Sequence, residues 1–270
     1  MDKITLKRSL PAVVFVLFLI PIFTSSVLDL EQKRENELVL EQQRIQKEAE
    51  DRIYLTGKFN PEEREDFILI PEQHTTVQSK MYLRKETLEA FLKMQEAADK
   101  DEIELKIASA ARNFDYQKSI WNNKWTGVTL VNGINLSISI PSGLERFKKI
   151  LEYSAVPGTS RHHWGTDIDI NNANPEYFEK ELGEKEYAWL VNNAYKFGFC
   201  QPYNLKGSDR PTGYNEEKWH WSYLPLAKTF MEEYKNLITD ADIKDFDGDE
   251  YVLSLNLINN YVLSINPDCL

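Results

Sequence analysis

Four histidines occur in the chain, His74, His162, His163 and His220, and two of them stand near carboxylates at spacings that could do chemistry. In Ser160-Arg161-His162-His163-Trp164-Gly165-Thr166-Asp167-Ile168-Asp169 an imidazole and a carboxylate lie seven positions apart, with a glycine between them. In Glu217-Lys218-Trp219-His220 a second imidazole follows a carboxylate by three. The set His, Asp and His with a nearby Glu supplies what zinc-assisted hydrolysis needs: three protein ligands, a position left for water, and a base for that water's proton. A lone histidine is more often structural than ligating, so the combination carries the reading.

On one uninterrupted strand His162 and Asp169 face opposite sides, because side chains alternate with period two. A bend at Gly165 can bring both to one point. Treating His163 as a fourth protein ligand would close the shell and make the site structural, so His163 is read as a packing or substrate-side residue.

The pattern Ser-x-His-x-x-Gly-x-x-x-Asp, met by Ser160, His162, Gly165 and Asp169, is followed about fifty residues later by Glu-x-x-His at Glu217 and His220. It resembles the LAS metallopeptidases, and more closely their D-alanyl-D-alanine carboxypeptidase (VanY-like) branch, over roughly Ile53 to Leu237. The resemblance implies a zinc ion held by His162, Asp169 and His220, with Glu217 as general base. It also implies an α+β fold with a small central antiparallel sheet flanked by helices. The family commonly has a small residue where this chain has Asp167, which is read as an alternative ligand or as an acceptor for an imidazole N–H. Asp169 is preferred as ligand because its distance from His162 matches the family.

Upstream, Ser109-Ala110-Ala111-Arg112 resembles the family's Ser-x-x-Arg segment, which contributes substrate-binding groups. Arg112 is then a carboxylate clamp or a stabiliser of transition-state charge, since a guanidinium offers a planar fork to a carboxylate or a developing oxyanion. Gln117 and Ser160 are candidates for hydrogen bonds to the substrate. The implied reaction is removal of a C-terminal D-alanine from peptidoglycan stem peptides. An L,D-carboxypeptidase, a D,D-endopeptidase and a non-catalytic zinc-containing wall-binding module are the alternatives. Glu217 argues against the last, because a purely structural site has no need of a spare carboxylate there.

The elements that must position these residues are legible in outline. Lys85 to Ala98 places Leu88, Phe91 and Leu92 at helical spacing, and Ile103, Leu105 and Ile107 alternate with polar residues as a half-buried strand does. Helices are expected over Asp115–Lys124, from a Ser142 cap to Tyr153, over Glu184–Phe197 and over Pro225–Leu237, with strands at Thr166–Ile170 and Trp219–Tyr223. Helices and short strands mix without regular βαβ alternation, which argues α+β. Trp164, Trp219 and Trp221 read as core or pocket wall.

The rest of the chain bounds location and partners. Its 270 residues carry a net charge of -11, which disfavours nucleic-acid backbones as partners. Lys3, Lys7 and Arg8 precede an apolar run from Pro11 to Phe23, the order of an export signal. The run falls short of a comfortable membrane span, so a cleaved signal is preferred to an anchor, and either places the remainder outside the cytoplasm, periplasmic or in the cell envelope. The chain is thus divided into a signal or anchor over 1–28, a charged helical stalk over 29–52, a zinc peptidase domain over 53–240 and a packed tail over 241–270. Cys200 and Cys269 can bridge in an oxidising compartment, closing the tail onto the body. Asp245, Asp247 and Asp249 are spaced wrongly for a calcium loop and read as a solvated turn.

Overall fold

The computed structural model describes residues 16–141 and 143–270. Lys3, Lys7, Arg8 and the first part of the apolar run lie outside the described residues, as does Ser142, the expected helix cap. The first helix, α1, covers Val16–Leu55. No helix among the described residues is long and apolar enough to cross a membrane. The chain forms two compact units, Met1–Ala49 and Glu50–Leu270, so the C-terminal tail belongs to the same unit as the site residues. In the first unit the helix is solvated from Asp29 on, and Arg44 bridges Glu41 at 2.7 Å and Glu48 at 2.6 Å along its surface. Such solvent-exposed pairs add little to stability.

The second unit is α+β. A short antiparallel pair joins β1 (Phe67–Leu69) to β2 (Tyr82–Arg84), and β2 runs directly into α2 (Lys85–Lys100). The main sheet is built from β3 (Ile107–Ser109), β4 (Asp167–Ile170), β5 (Phe199–Cys200) and β6 (His220–Tyr223). Its order is β3-β4-β6-β5, with every neighbour antiparallel. Around it lie α3 (Phe114–Thr126), α4 (Leu136–Ser139), α5 (Gly143–Ile150), α6 (Glu181–Asn193), α7 (Leu224–Leu237) and α8 (Val252–Leu255).

Period-two alternation sorts the two central strands into an apolar and a polar face. Ile168, Ile170 and Trp221 join Leu88, Phe91 and Met94 of α2 and Trp189 and Leu190 of α6 in one buried cluster. At roughly 1.5–3 kcal/mol for each large apolar side chain removed from water, this layer fixes the sheet against its helices. The opposite face carries Asp167, Asp169, His220 and Ser222, all buried as well. A second cluster, including Trp121, Phe147, Trp164 and Tyr234, takes in Val252, Leu257, Ile258 and Val262 of the tail. Cys269 is disulfide-bonded to Cys200 on β5, with Cα atoms 5.7 Å apart.

Two local outcomes differ from the sequence expectations. The Ile103–Ile107 alternation is real in burial, with Leu105 and Ile107 enclosed, but strand pairing starts only at Ile107. There the Asn171 side chain accepts from Lys106 N at 2.7 Å and donates to Glu104 O at 2.8 Å, while the Lys106 carbonyl accepts from Asn171 N at 2.8 Å. The helix expected over Glu184–Phe197 starts earlier, at Glu181, and tightens into a 3-10 turn over Ala194–Phe197. Around Asp245–Asp249, Asp249 accepts from Asp245 N at 2.7 Å and the Asp247 carbonyl accepts from Trp121 Nε1 at 2.8 Å, an arrangement of turn and anchor.

Candidate metal centre

Asp169 and His220 are direct cross-strand partners in the β4–β6 register, so the pairing itself sets a carboxylate beside an imidazole on the polar face. His162 arrives from a 3-10 turn, Arg161–Trp164, that ends at Gly165 with φ 71°. A side chain at Gly165 would sit in left-handed backbone and collide with the Phe67 ring, so the reversal there requires glycine. The turn brings one donor atom of His162, Asp169 and His220 to within 4.8 Å of one another. The two imidazole centroids are 4.7 Å apart with planes at 80°.

The ring nitrogens are sorted by their partners. His162 Nδ1 lies 2.9 Å from the Ala110 carbonyl, which can only accept, so Nδ1 bears the proton and Nε2 keeps its lone pair. His220 Nε2 donates to Asp167 Oδ2 at 2.9 Å, leaving Nδ1 to face Asp169 Oδ1 at 3.4 Å and Glu217 Oε2 at 3.3 Å. His162 Nε2 in turn lies 3.3 Å from Asp169 Oδ1, and both atoms are buried without a hydrogen-bond partner. Two electron-pair donors, His162 Nε2 and Asp169 Oδ1, thus face one another while buried, an arrangement that a divalent cation relieves, and with His220 the donor set suits zinc.

The charges respond accordingly. Burial holds His162 neutral, down to about 4, and the Arg112 cation works in the same direction. Burial opposes charge on His220, yet its hydrogen bonds to Asp167, Asp169 and Glu217 outweigh that and raise it well above its ordinary value. Burial also opposes ionisation of Asp169, but His162, His220 and Arg112 keep it well below the usual carboxylate range. For Glu217 burial wins and raises the carboxyl.

Asp167 is held away from the donor cluster by its own partners. Its Oδ2 accepts from Arg161 Nε at 2.8 Å as well as from His220, and its Oδ1 accepts from Thr166 Oγ1 at 2.7 Å and Ser222 Oγ at 2.9 Å. Of the two roles open to it from the sequence, the geometry gives it that of imidazole acceptor. Sequence reasoning does not single out Arg161, Thr166 or Ser222. A signal existed for Ser222, since it follows His220 by two on the same strand face. Arg161 is wholly buried, donates to Ser222 Oγ at 2.6 Å and lies 4.7 Å over the Trp164 ring.

The cluster forms the floor of a cleft of about 540 Å³ that is also lined by Arg112, Gln117, Ser160 and Glu217. Arg112 sets its guanidinium 3.5 Å from Asp169 Oδ2. Gln117, on α3, donates to the Ala155 carbonyl at 2.7 Å while its Oε1 is buried without a partner. Ser160 precedes the 3-10 turn, and its hydroxyl makes no capping bond. Glu217 is held from behind, its N–H donating to Tyr203 O at 2.9 Å and its carbonyl accepting from Gln201 Nε2 at 3.1 Å. His163 lies off the cleft: its Nδ1 donates to the Arg112 carbonyl at 2.7 Å and its Nε2 accepts from Gly158 N at 3.0 Å, so its role is packing. Trp219 lines the cleft wall, whereas Trp164 and Trp221 are core.

A His–Asp–His cluster built on two strands and a turn, with an adjoining carboxylate and open to a cleft, is the layout that a single-metal hydrolase requires. The chain belongs to the VanY D-alanyl-D-alanine carboxypeptidase family, whose model matches residues 80–226. It is 30% identical over 178 residues to "Putative carboxypeptidase YodJ" of Bacillus subtilis (strain 168), covering 63% of this chain and 56% of that one. It is 39% identical over 90 residues to a D-alanyl-D-alanine carboxypeptidase of Enterococcus faecalis (strain ATCC 700802 / V583), covering 30% of this chain and 32% of that one. The chain therefore spans about half and about a third of the lengths of these two relatives. Among solved structures it is similar to the LdcB LD-carboxypeptidase, with TM-score 0.46 and 28% identity over 70% of this chain and 78% of that chain.

Proposed function

We propose that this chain is a zinc-dependent carboxypeptidase that removes the C-terminal D-alanine from peptidoglycan stem peptides outside the cytoplasm. The observation that carries the reading is the convergence of His162 Nε2, Asp169 Oδ1 and His220 Nδ1, with Glu217 beside them, on the floor of an open cleft. His162, Asp169 and His220 would hold the ion, which when bound supplies a Lewis acid for the scissile carbonyl and lowers the pKa of water from about 16 toward about 7.

Glu217 Oε2 accepts the proton lost by the attacking water, and burial suits it to the task by raising its basicity. The water oxygen bonds to the carbonyl carbon, the C–N bond breaks, and Glu217 returns the proton to the leaving amine. The products are a shortened peptide acid and free D-alanine. Arg112 brings positive charge to the edge of the reacting centre, where oxyanion charge develops. Gln117 Oε1 offers an acceptor for a substrate N–H, and Ser160 also lines the cleft.

The test is mass spectrometry of defined stem peptides after incubation with zinc-loaded protein and with Glu217→Gln. The wild type should release single D-alanine, and the variant should bind zinc equally while turnover falls by about 100-fold or more. Full activity in the variant would remove Glu217 as base. Opened cross-links without free D-alanine would instead indicate an endopeptidase.

A further inference from the structure

Arg112, Lys124, Lys149 and Arg161 bring positive charge to the cleft lining. Three of them have a carboxylate of the protein at hand. Arg161 pairs with Asp167 at 2.8 Å, Lys149 with Glu152 at 2.8 Å, and Arg112 with Asp169 at 3.5 Å. Lys124 differs. Its ammonium donates to the neutral hydroxyl of Ser154 and has no ion pair among the described residues. Burial lowers its pKa and the nearby Arg112 cation lowers it further, with Glu217 opposing. A partly desolvated ammonium without a counter-ion is costly to keep, and it offers two further N–H donors.

Its placement gives that charge a use. Lys124 stands seven residues after Gln117 on α3, two helical turns along the same face, and both line the cleft. The facing segment repeats the pattern: Gln117 bonds to Ala155 and Lys124 bonds to the adjacent Ser154. One wall therefore presents a buried amide acceptor and a held ammonium two turns apart on α3, with the ammonium in electrostatic reach of Arg112 and Glu217. A peptide lying along that wall meets both a hydrogen-bond acceptor and a positive charge that no carboxylate among the described residues pairs directly.

We propose that Lys124, steadied by Ser154, is the docking point for a carboxylate of the peptide substrate and so determines which peptides bind. This rests on the carboxypeptidase reading above. The carboxylate is either the chain terminus or the side chain of an acidic residue further back in the peptide, and one set of substrates separates the two. Full-length, zinc-loaded wild type, Lys124→Met and Lys124→Arg are compared on a synthetic peptide ending in D-alanyl-D-alanine with an acidic residue upstream. The same peptide is also made with a C-terminal carboxamide and with the acidic side chain amidated.

For the free acid, Lys124→Met should raise KM by about 10- to 100-fold, the effect of losing a charge-assisted hydrogen bond. It should leave kcat within about threefold, and Lys124→Arg should recover part of the loss. The gap between wild type and Lys124→Met should close on the one amidated peptide that lacks the carboxylate Lys124 reads, which identifies its source. An unchanged KM for the free acid, or an equal rise on all three peptides, overturns the proposal. Calorimetric affinities of the same peptides for zinc-loaded Glu217→Gln and Glu217→Gln/Lys124→Met give the same comparison without turnover. If wild type releases no D-alanine from any peptide, the functional reading fails while these affinities still decide the role of Lys124.

Discussion

Replacing Asp167 by Asn should weaken the site from beneath. The Asp167 carboxylate receives four donors, two on each oxygen: Arg161 and His220 on Oδ2, Thr166 and Ser222 on Oδ1. An amide has one acceptor atom, and its NH2 finds no acceptor beside Arg161 Nε and His220 Nε2, so it turns toward the Thr166 and Ser222 hydroxyls, which can rotate to accept. The wholly buried Arg161 also loses its counter-charge, and breaking a buried pair by removing one partner costs about 3–5 kcal/mol. That is a large share of the ~5–15 kcal/mol that stabilises a typical domain. His220 is left with a neutral acceptor in place of a charged one, for which a fall in zinc affinity of about 10-fold, about 1.4 kcal/mol, is expected.

Asp169→Asn is the control that separates stability from binding. It removes the donor itself but leaves the Arg161–Asp167 pair whole, so zinc affinity should fall further than in Asp167→Asn while the metal-free fold loses much less. Urea unfolding of the metal-free proteins gives the stability, and competition with a chelating dye gives the affinity. If Asp167→Asn unfolds at the wild-type midpoint and binds zinc with wild-type affinity, or if Asp169→Asn binds zinc more tightly than Asp167→Asn, the assignment of roles is wrong.

Two further predictions concern how the unit is fastened. The disulfide between Cys200 and Cys269 closes a loop with a sequence separation of 69, and the chain-entropy relation puts its removal at about 4 kcal/mol. Cys200→Ser/Cys269→Ser should therefore unfold at clearly lower temperature than the oxidised wild type, and a midpoint within a degree or so of wild type would show that the bridge constrains little. Tyr54 donates to the Trp164 carbonyl at 2.7 Å, and burial pushes its hydroxyl up to about 12 from an ordinary value near 10. The unfolded chain therefore ionises first: the contribution is intact below about pH 10 and declines by about 3 kcal/mol as pH rises to about 12. Tyr54→Phe should flatten that alkaline decline in urea titrations, and parallel curves for the two proteins would rule the account out.

Much of the donor set is legible in the sequence because it rests on short-range rules. A glycine between His162 and Asp169 signals a reversal, and period-two alternation in Trp219–Tyr223 places His220 and Ser222 on one face. The residues that a linear reading misses act across the chain. Arg161 matters through Ser222 sixty-one positions later and Lys124 through Ser154 thirty positions later, and a linear pattern carries no signal of either contact. Asp167 is ambiguous for the same reason. Its spacing allows two roles, and only its partners from β6 and from the turn before β4 distinguish them. The late start of β3 within the Ile103–Ile107 pattern shows a further limit, since alternation reports burial, whereas a ladder also needs a neighbouring backbone, and before the Lys106 carbonyl, which accepts from Asn171 N, the partner is the Asn171 side chain.

The buried Arg161–Asp167 pair poses an energetic question that the site answers. Such pairs rarely stabilise a fold more than apolar residues of similar volume, because desolvation offsets their attraction. Its presence is better explained by what it fixes. With Arg161 and Ser222 holding both oxygens of Asp167, the carboxylate cannot turn, so it accepts from His220 Nε2 in one orientation. That leaves Nδ1 aimed at Asp169 and Glu217, where a cation would sit. On the other imidazole the Ala110 carbonyl does the same work through the backbone. The two imidazoles are thus oriented by unlike means: one by main chain that any sequence could supply, the other by a charged pair that only these side chains can.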